Sequence, residues 1–247
     1  GWLLLLYPGI ATPLRPEGQV APDVSSPARA DGSSAAPEDA LSALVAKLPP
    51  RGAQALAKAV ASLRSPPKNE GIEPRRRAGP ADAPVLVTDF SDLRCGHCKN
   101  LAEALRALRE RLEGRFAEDA RYFPLSARCN PEVPEEMVDP SGARCFAAKA
   151  LLCLEDRPAY FELRHRLFEA QADLTVERVE ELAEEVTAVG PDALAACVAS
   201  PEVEQKLASD IEYAMRYDLK GTPLVLVNGR EVPGHPTILY ALILARG

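Results

Sequence analysis

Aromatic side chains are scarce in this chain: 6 Phe, 6 Tyr and 1 Trp among 247 residues, with none between Tyr7 and Phe90. The stretch up to residue 83 also carries 12 of the 23 prolines. A segment so poor in large apolar groups cannot bury enough surface to build a core of its own. Basic charge is in deficit as well. Residues 84–247 carry 19 basic and 28 acidic side chains, a balance of about −9, which argues against a nucleic-acid partner. A membrane-length apolar run is not present at the start either. The opening "GWLLLLYPGI" is too short to span a bilayer and has neither an initiator Met nor a basic flank. Two readings of residues 1–10 stand: a remnant of a transmembrane or signal segment, favoured by Trp2 and Tyr7 bracketing four leucines, or an isolated apolar patch.

What is present divides the chain. Residues 11–37, rich in Pro, Ala, Ser and Gly, read as a flexible linker. Residues 38–65 read as a short amphipathic helical arm. Leu41, Leu44, Val45 and Leu48 share one helical face, and after the Pro49–Pro50 break Leu56, Val60 and Leu63 share another. The arm is expected to lie on the main domain or on a partner, with dimerisation as the sharper alternative. Residues 66–83 resume linker character, and Arg75, Arg76 and Arg77 are expected there as a solvated cluster that could at most touch acidic lipid. From residue 84 the texture changes. "VLVTDF" predicts a buried strand, and Leu101, Leu105, Leu108 and Leu112 predict a helix stopped by Gly114. "RYFPL" predicts a second strand, and a helical tract follows over about 142–220. "PLVLVNGREVPG" predicts a hairpin turning on Asn228 and Gly229, and "TILYALILARG" a closing apolar helix. The order of elements makes an α/β sandwich with a helical insert.

Cysteine carries the chemistry. Six cysteines, two of them in one CxxC and four scattered, suit an oxidising compartment better than the cytosol. The CxxC lies in "FSDLRCGHCKN", residues 90–100. A structural zinc site wants a second close pair of ligands, but Cys129 and Cys145 are 16 residues apart and Cys153 and Cys197 are 44 apart. A purely structural Cys95–Cys98 bridge would close too short a loop to stabilise the fold. Redox chemistry explains the placement better, because the motif falls where a strand ends and a helix begins. Free amides and the positive end of the helix dipole then face Cys95, the expected thiolate. Cys98, one turn in, is expected to be buried and to resolve the mixed disulfide. His97 between them favours the thiolate further. If the Cys95 pKa fell from about 8.5 to about 6.5, its thiolate fraction at pH 7 would rise from roughly 3 % to roughly 75 %. The reduced form would gain only about 0.8 kcal/mol, or about 18 mV. Such a shift governs speed more than oxidising power.

Two further residues fit the same chemistry. Asp89 lies six positions before Cys95 in the apolar strand, where desolvation would raise its pKa and make it a candidate to shuttle the Cys98 proton. The alternative is an ordinary strand-end aspartate that caps the helix together with Asp92. Thr222-Pro223 precedes the strand "LVLV", either as a plain turn or as a cis peptide beside the sulfurs. His165 and His235 are read as inert.

With the CxxC at a strand-to-helix junction, Asp89 upstream and "GTP" before a late strand, the chain resembles the thioredoxin superfamily. The helical insert resembles that of its DsbA-like branch, as do "FSDLRCGHCK", "RYFPLSARCN", "LAACVAS" and "DLKGTPLVLVNGREVPG". The likeness covers residues 84–247 and implies a thioredoxin-like domain with a DsbA-like insertion, without a cofactor. It implies Cys95 as nucleophile, Cys98 as resolving thiol, Asp89 as buried acid, and Pro223 as a cis-proline preceded by Thr222. It also implies bridges from Cys129 to Cys145 and from Cys153 to Cys197, with free buried thiols as the alternative. Closing loops of 17 and 45 residues would stabilise by about 3 and about 4 kcal/mol in the chain-entropy picture. The Gly-His dipeptide departs from the Pro-His of the DsbA pattern and matches protein disulfide isomerases. The resemblance points to an extracytoplasmic thiol-disulfide oxidoreductase acting on cysteine-containing proteins, with oxidation as the expected direction. A DsbB-like or vitamin K epoxide reductase-like membrane protein is the expected redox partner. The alternatives are an isomerase or reductase with a dimerising arm, and a peptide-binding module without redox turnover.

Overall fold

The computed structural model describes residue 43, residues 45–217, residue 219 and residues 221–246. The apolar start, the 11–37 linker and the beginning of the arm lie outside the described residues. Helix α1 spans Pro50–Ser62, with its proline in the first turn, where no amide hydrogen is needed. Strands β1 (Arg77–Ala78) and β2 (Val85–Ser91) lead to helix α2 (Gly96–Arg111) and strand β3 (Phe116–Tyr122). The insert follows as α3 (Ala143–Cys153), α4 (Tyr160–Glu169), α5 (Val176–Thr187), α6 (Pro191–Val198) and α7 (Pro201–Met215). Thr175 and Ser200 cap α5 and α7 by accepting the amides of Arg178 and Val203. The chain then returns through β4 (Leu224–Val227), β5 (Arg230–Val232) and α8 (Pro236–Arg246).

The strands form one sheet in the order β1-β3-β2-β4-β5, with β2 and β3 parallel and every other neighbouring pair antiparallel. Asn228 and Gly229 take positive φ values of 47° and 73°, the backbone that a tight two-residue hairpin requires. Asn228 also locks this hairpin to β2, since its Oδ1 accepts the Leu86 amide at 2.7 Å. One core gathers Val85, Val87, Val225 and Val227 against Leu101 and Leu105 of α2 and Leu239 and Ile243 of α8. A second gathers Phe90, Leu224 and Leu226 with Leu151, Leu163 and Leu167 of the insert, and includes Cys98.

Three expectations need correction. The second strand is not "RYFPL" but Phe116–Tyr122, "FAEDARY". Its apolar pattern is broken by Glu118, Asp119 and Arg121, each 1 % exposed and paired inside the fold. Residues 66–83 are not wholly linker, since β1 pairs with β3 through Arg77 and Ala78. Beside it, Arg76 is 1 % exposed rather than solvated. It donates to Ala120 O at 2.6 Å, to Glu155 at 2.9 Å and to Asp210 at 2.5 Å, so its burial is compensated at each nitrogen.

The third correction concerns the arm. Helix α1 packs on β5 and α8, and the Ser62 hydroxyl donates to Glu231 O at 2.6 Å. Of the expected face, Val60 is 40 % exposed, while Ala59 is fully buried in its place. Where the helix comes this close to the domain, a small side chain is what fits.

Candidate active site

The site begins at the end of β2. Its last residues turn at Asp92, whose Oδ1 accepts the Arg94 amide and whose Oδ2 accepts the Leu125 amide, both at 2.7 Å. Cys95 follows as the N-cap of α2, in extended backbone, with its carbonyl accepting the amides of Cys98 and Lys99. The first amides of the helix therefore surround the Cys95 sulfur. Gln171, from the 3₁₀ turn after α4, steadies this backbone by donating to the carbonyls of Leu93 and Cys95 at 3.2 Å each. Asp92 and Asp139 carry the ends of Arg144 and Arg94 respectively, tying the turn to α3 and to the loop before it.

Cys95 is half-buried and Cys98 fully buried, and both are free thiols. The Cys95 thiol donates to the carbonyl of Thr222 at 3.4 Å, which brings the β4 end of the sheet to the sulfur. The Thr222–Pro223 peptide is cis. Hydrogen bonding from the Cys98 thiol, with the backbone amides of Cys98 and His97, outweighs burial and pulls the Cys95 thiol down to about 5. Burial, reinforced by the neighbouring Cys95 sulfur, pushes the Cys98 thiol far above the ordinary cysteine range. His97 itself is exposed and contributes through its amide. Such a pair holds one sulfur ready to attack a disulfide and keeps the other protonated until it is needed.

The alkylation rate of reduced protein is expected to rise with a midpoint near pH 5 and to be level by pH 7. An unperturbed thiol would instead titrate near about 8.5, and a midpoint there would contradict the geometry. The sign for stability follows. A folded-state value below the unfolded one stabilises the reduced fold fully above about pH 8.5, and this contribution disappears as the pH falls through about 5.

Asp89 is fully buried in β2, where it is paired. Arg164 of α4 donates to its Oδ2 at 2.6 Å, and the Ser91 hydroxyl does so at the same distance. It does not cap α2, which has no side-chain cap. Cys129 is bonded to Cys145 and Cys153 to Cys197. The first bridge ties the loop after β3 to α3, and the second joins α3 to α6. His165 contacts Glu169 and Arg106 on the surface, and His235 accepts the Thr237 amide at the start of α8. Among the described residues no group of three or more His, Cys, Asp and Glu side chains is placed to hold a metal ion.

The model of the family described as thioredoxin matches residues 73–240. The chain belongs to the thioredoxin family. Its fold is that of the DsbA-like thiol-disulfide oxidoreductases. It is similar to oxidised BdbD from Bacillus subtilis, with a TM-score of 0.59 and 19 % identity over 73 % of this chain and 95 % of that one. It is also similar to α-DsbA1 from Wolbachia pipientis, with a TM-score of 0.55 and 17 % identity over 69 % and 88 %. At these identities the likeness is one of fold. Among curated proteins it is 28 % identical over 198 residues to the Na(+)/H(+) antiporter NhaA 1 of Mycolicibacterium gilvum, matching 74 % of this chain but 30 % of the antiporter. This thioredoxin-family domain therefore spans less than a third of that relative. Among the described residues no helix is long and apolar enough to cross a membrane.

Sequence reading missed Gln171, Arg164 and the Asp92–Arg144 and Arg94–Asp139 pairs. Gln171 and Arg164 lie more than 65 residues from the CxxC along the chain, and nothing local marks them.

Proposed function

We infer that this chain is an extracytoplasmic protein thiol-disulfide oxidoreductase that works chiefly as an oxidase through Cys95 and Cys98. The observation that carries this reading is the pairing of a half-exposed, acidic Cys95 thiol with a buried, hard-to-ionise Cys98 beside Thr222 and Pro223. In the oxidising direction a substrate thiolate attacks the Cys95 sulfur of the disulfide, and Cys98 leaves and takes up a proton. A second substrate thiolate then attacks the mixed disulfide, and Cys95 departs as a stable thiolate. A low-pKa leaving sulfur speeds that last step and favours the reduced form, so the disulfide form is an oxidant. The bridges Cys129–Cys145 and Cys153–Cys197 suit an oxidising compartment. A DsbB-like or vitamin K epoxide reductase-like membrane protein would restore the disulfide.

The test is the reduction potential of the Cys95–Cys98 pair, equilibrated against glutathione. A value of about −120 to −180 mV is expected, in the range of oxidising and isomerising members. A value near about −270 mV, that of thioredoxin, would overturn the oxidase reading in favour of a reductase.

The match to the Mycolicibacterium gilvum antiporter favours a second reading, in which this domain is part of a longer membrane transport protein. Antibody raised against the domain should then detect a membrane-bound polypeptide about two to three times its 26.6 kDa mass. Detection only of a free polypeptide of about domain size would remove this reading.

A further inference from the structure

The helical insert reaches the backbone of the nucleophile through Gln171, the first residue of the 3₁₀ turn Gln171–Asp173 that follows α4. Its Nε2 carries two hydrogens. The nitrogen lies 3.2 Å from the carbonyl oxygen of Leu93 and 3.2 Å from that of Cys95, and donates to both. These carbonyls bracket the turn from β2 into α2. The same turn is tied by the Cys95 amide on Asp92 O at 3.0 Å and by the Arg94 amide on Asp92 Oδ1 at 2.7 Å.

Cys95 is the N-cap residue of α2, with φ −89° and ψ 118°, and no side-chain oxygen caps the helix. An ordinary N-cap locks its own junction, because a Ser, Thr, Asp or Asn oxygen takes up one of the first free amides. Here those amides are left to the sulfur, and the N–H groups of His97 and Cys98 favour the Cys95 thiolate. Their direction depends on one torsion, the ψ of Cys95, which also swings the Cys95 carbonyl. A donor fixed to that carbonyl and to the Leu93 carbonyl before it therefore fixes the aim of the amides.

We propose that Gln171 is a positioning residue for thiol-disulfide exchange, holding the strand-to-helix junction from the insert so that the first amides of α2 stay directed at the Cys95 sulfur. The inference rests on the oxidoreductase reading and deepens it. It gives the insert a part in the chemistry, since this side chain comes from 76 residues further along the chain.

The titratable and charged groups around the Cys95 sulfur are Cys98 and His97 on α2 and Asp92 and Arg94 in the turn. Arg144 of α3 pairs with Asp92, and Asp139 of the loop before α3 pairs with Arg94. The segment before β4 presents the Thr222 carbonyl, and the 3₁₀ turn presents the uncharged Gln171 amide. A change at position 171 thus alters a dipole or a charge without removing a member of either ion pair.

Alkylation of the reduced chain by iodoacetamide across a pH series reads the stabilisation of the thiolate as a midpoint. Gln171→Met keeps the length of the side chain and removes both donors. It is expected to raise the midpoint by about half a unit to one unit. The disulfide should then become a weaker oxidant by about threefold to tenfold in its equilibrium with glutathione, about 15 to 30 mV. Gln171→Glu, of nearly the same shape, turns an anion toward two carbonyl oxygens and the thiolate, and should raise the midpoint further. Gln171→Lys restores donors and should leave the midpoint at or below that of the unaltered chain. A side chain that only packed the insert against the turn would lower the urea midpoint in these variants and leave the alkylation midpoints in place. The proposal is overturned by an unmoved midpoint in folded Gln171→Met, by Gln171→Glu rising no further than Gln171→Met, or by Gln171→Lys rising as far as Gln171→Met. Should Gln171→Met not fold, the gap between Gln171→Glu and Gln171→Lys decides. A midpoint near about 8.5 in the unaltered chain is a different failure and would remove the oxidoreductase reading itself.

Discussion

Replacing Cys95 with serine is expected to reduce the oxidation of a reduced, unfolded substrate protein to the uncatalysed background. The serine hydroxyl cannot form the mixed disulfide, and the α2 amides that hold a thiolate at this position have nothing equivalent to stabilise, since a hydroxyl stays protonated. Cys98→Ser should behave differently. Given a substrate protein that carries a disulfide, Cys95 still attacks it and one substrate sulfur leaves as a thiolate, but no Cys98 resolves the adduct, so a mixed disulfide with one substrate chain accumulates at Cys95. Intact-protein mass spectrometry separates the two variants: one adduct per chain in Cys98→Ser and none in Cys95→Ser. Undiminished oxidation by Cys95→Ser would sink the site, and an adduct in Cys95→Ser would place the nucleophile elsewhere. The buried Cys98 explains the asymmetry, because a thiol held protonated and out of solvent is a poor first nucleophile.

The largest stability effect is expected from Asp210→Ala. Asp210 on α7 is fully buried. It accepts from Arg76 at 2.5 and 2.6 Å, from Arg121 at 3.1 Å and from the Tyr122 amide at 3.1 Å. Glu155 compensates Arg76 in part, and Asp119 compensates Arg121 at 2.8 Å, yet two buried guanidinium groups and a strand amide would be left short of a partner. Breaking a buried pair from one side costs about 3–5 kcal/mol, a large share of the about 5–15 kcal/mol that holds a domain together. Urea unfolding of the oxidised protein should show the midpoint falling accordingly. A change below about 1 kcal/mol would mean that the pair is replaced by solvent and does not bind the insert to the sheet.

These two predictions come from opposite ends of what could be read along the chain. Cys95 and Cys98 were legible because their environment is local: a strand, a turn and the first turn of a helix lie within a dozen residues, and dipole and amides follow from that order alone. The α/β alternation and the hairpin at Asn228 were legible for the same reason, since periodicity and a two-residue turn are short-range signals. Asp89 was legible as a position but not as an ion pair, because Arg164 sits 75 residues away on a helix whose packing no local pattern specifies. The "FAEDARY" strand was hidden by its charges. Glu118, Asp119 and Arg121 look like surface residues until Arg109 and Arg164 arrive from two helices to pair with Glu118, Asp210 arrives from a third to pair with Arg121, and Asp119 pairs with Arg121 beside it.

Arg76 makes the same point from the linker side, read as solvated yet enclosed by Asp210, Glu155 and the Ala120 carbonyl. By itself the sequence determined the type of fold and the place of the dithiol at the strand-to-helix junction, both of which depend on contacts over a few residues. Only the tertiary structure decided which charges are buried and how the arm lies. Burying a charge is favourable only when its partner arrives from a distant segment, and that pairing has no signature along the chain.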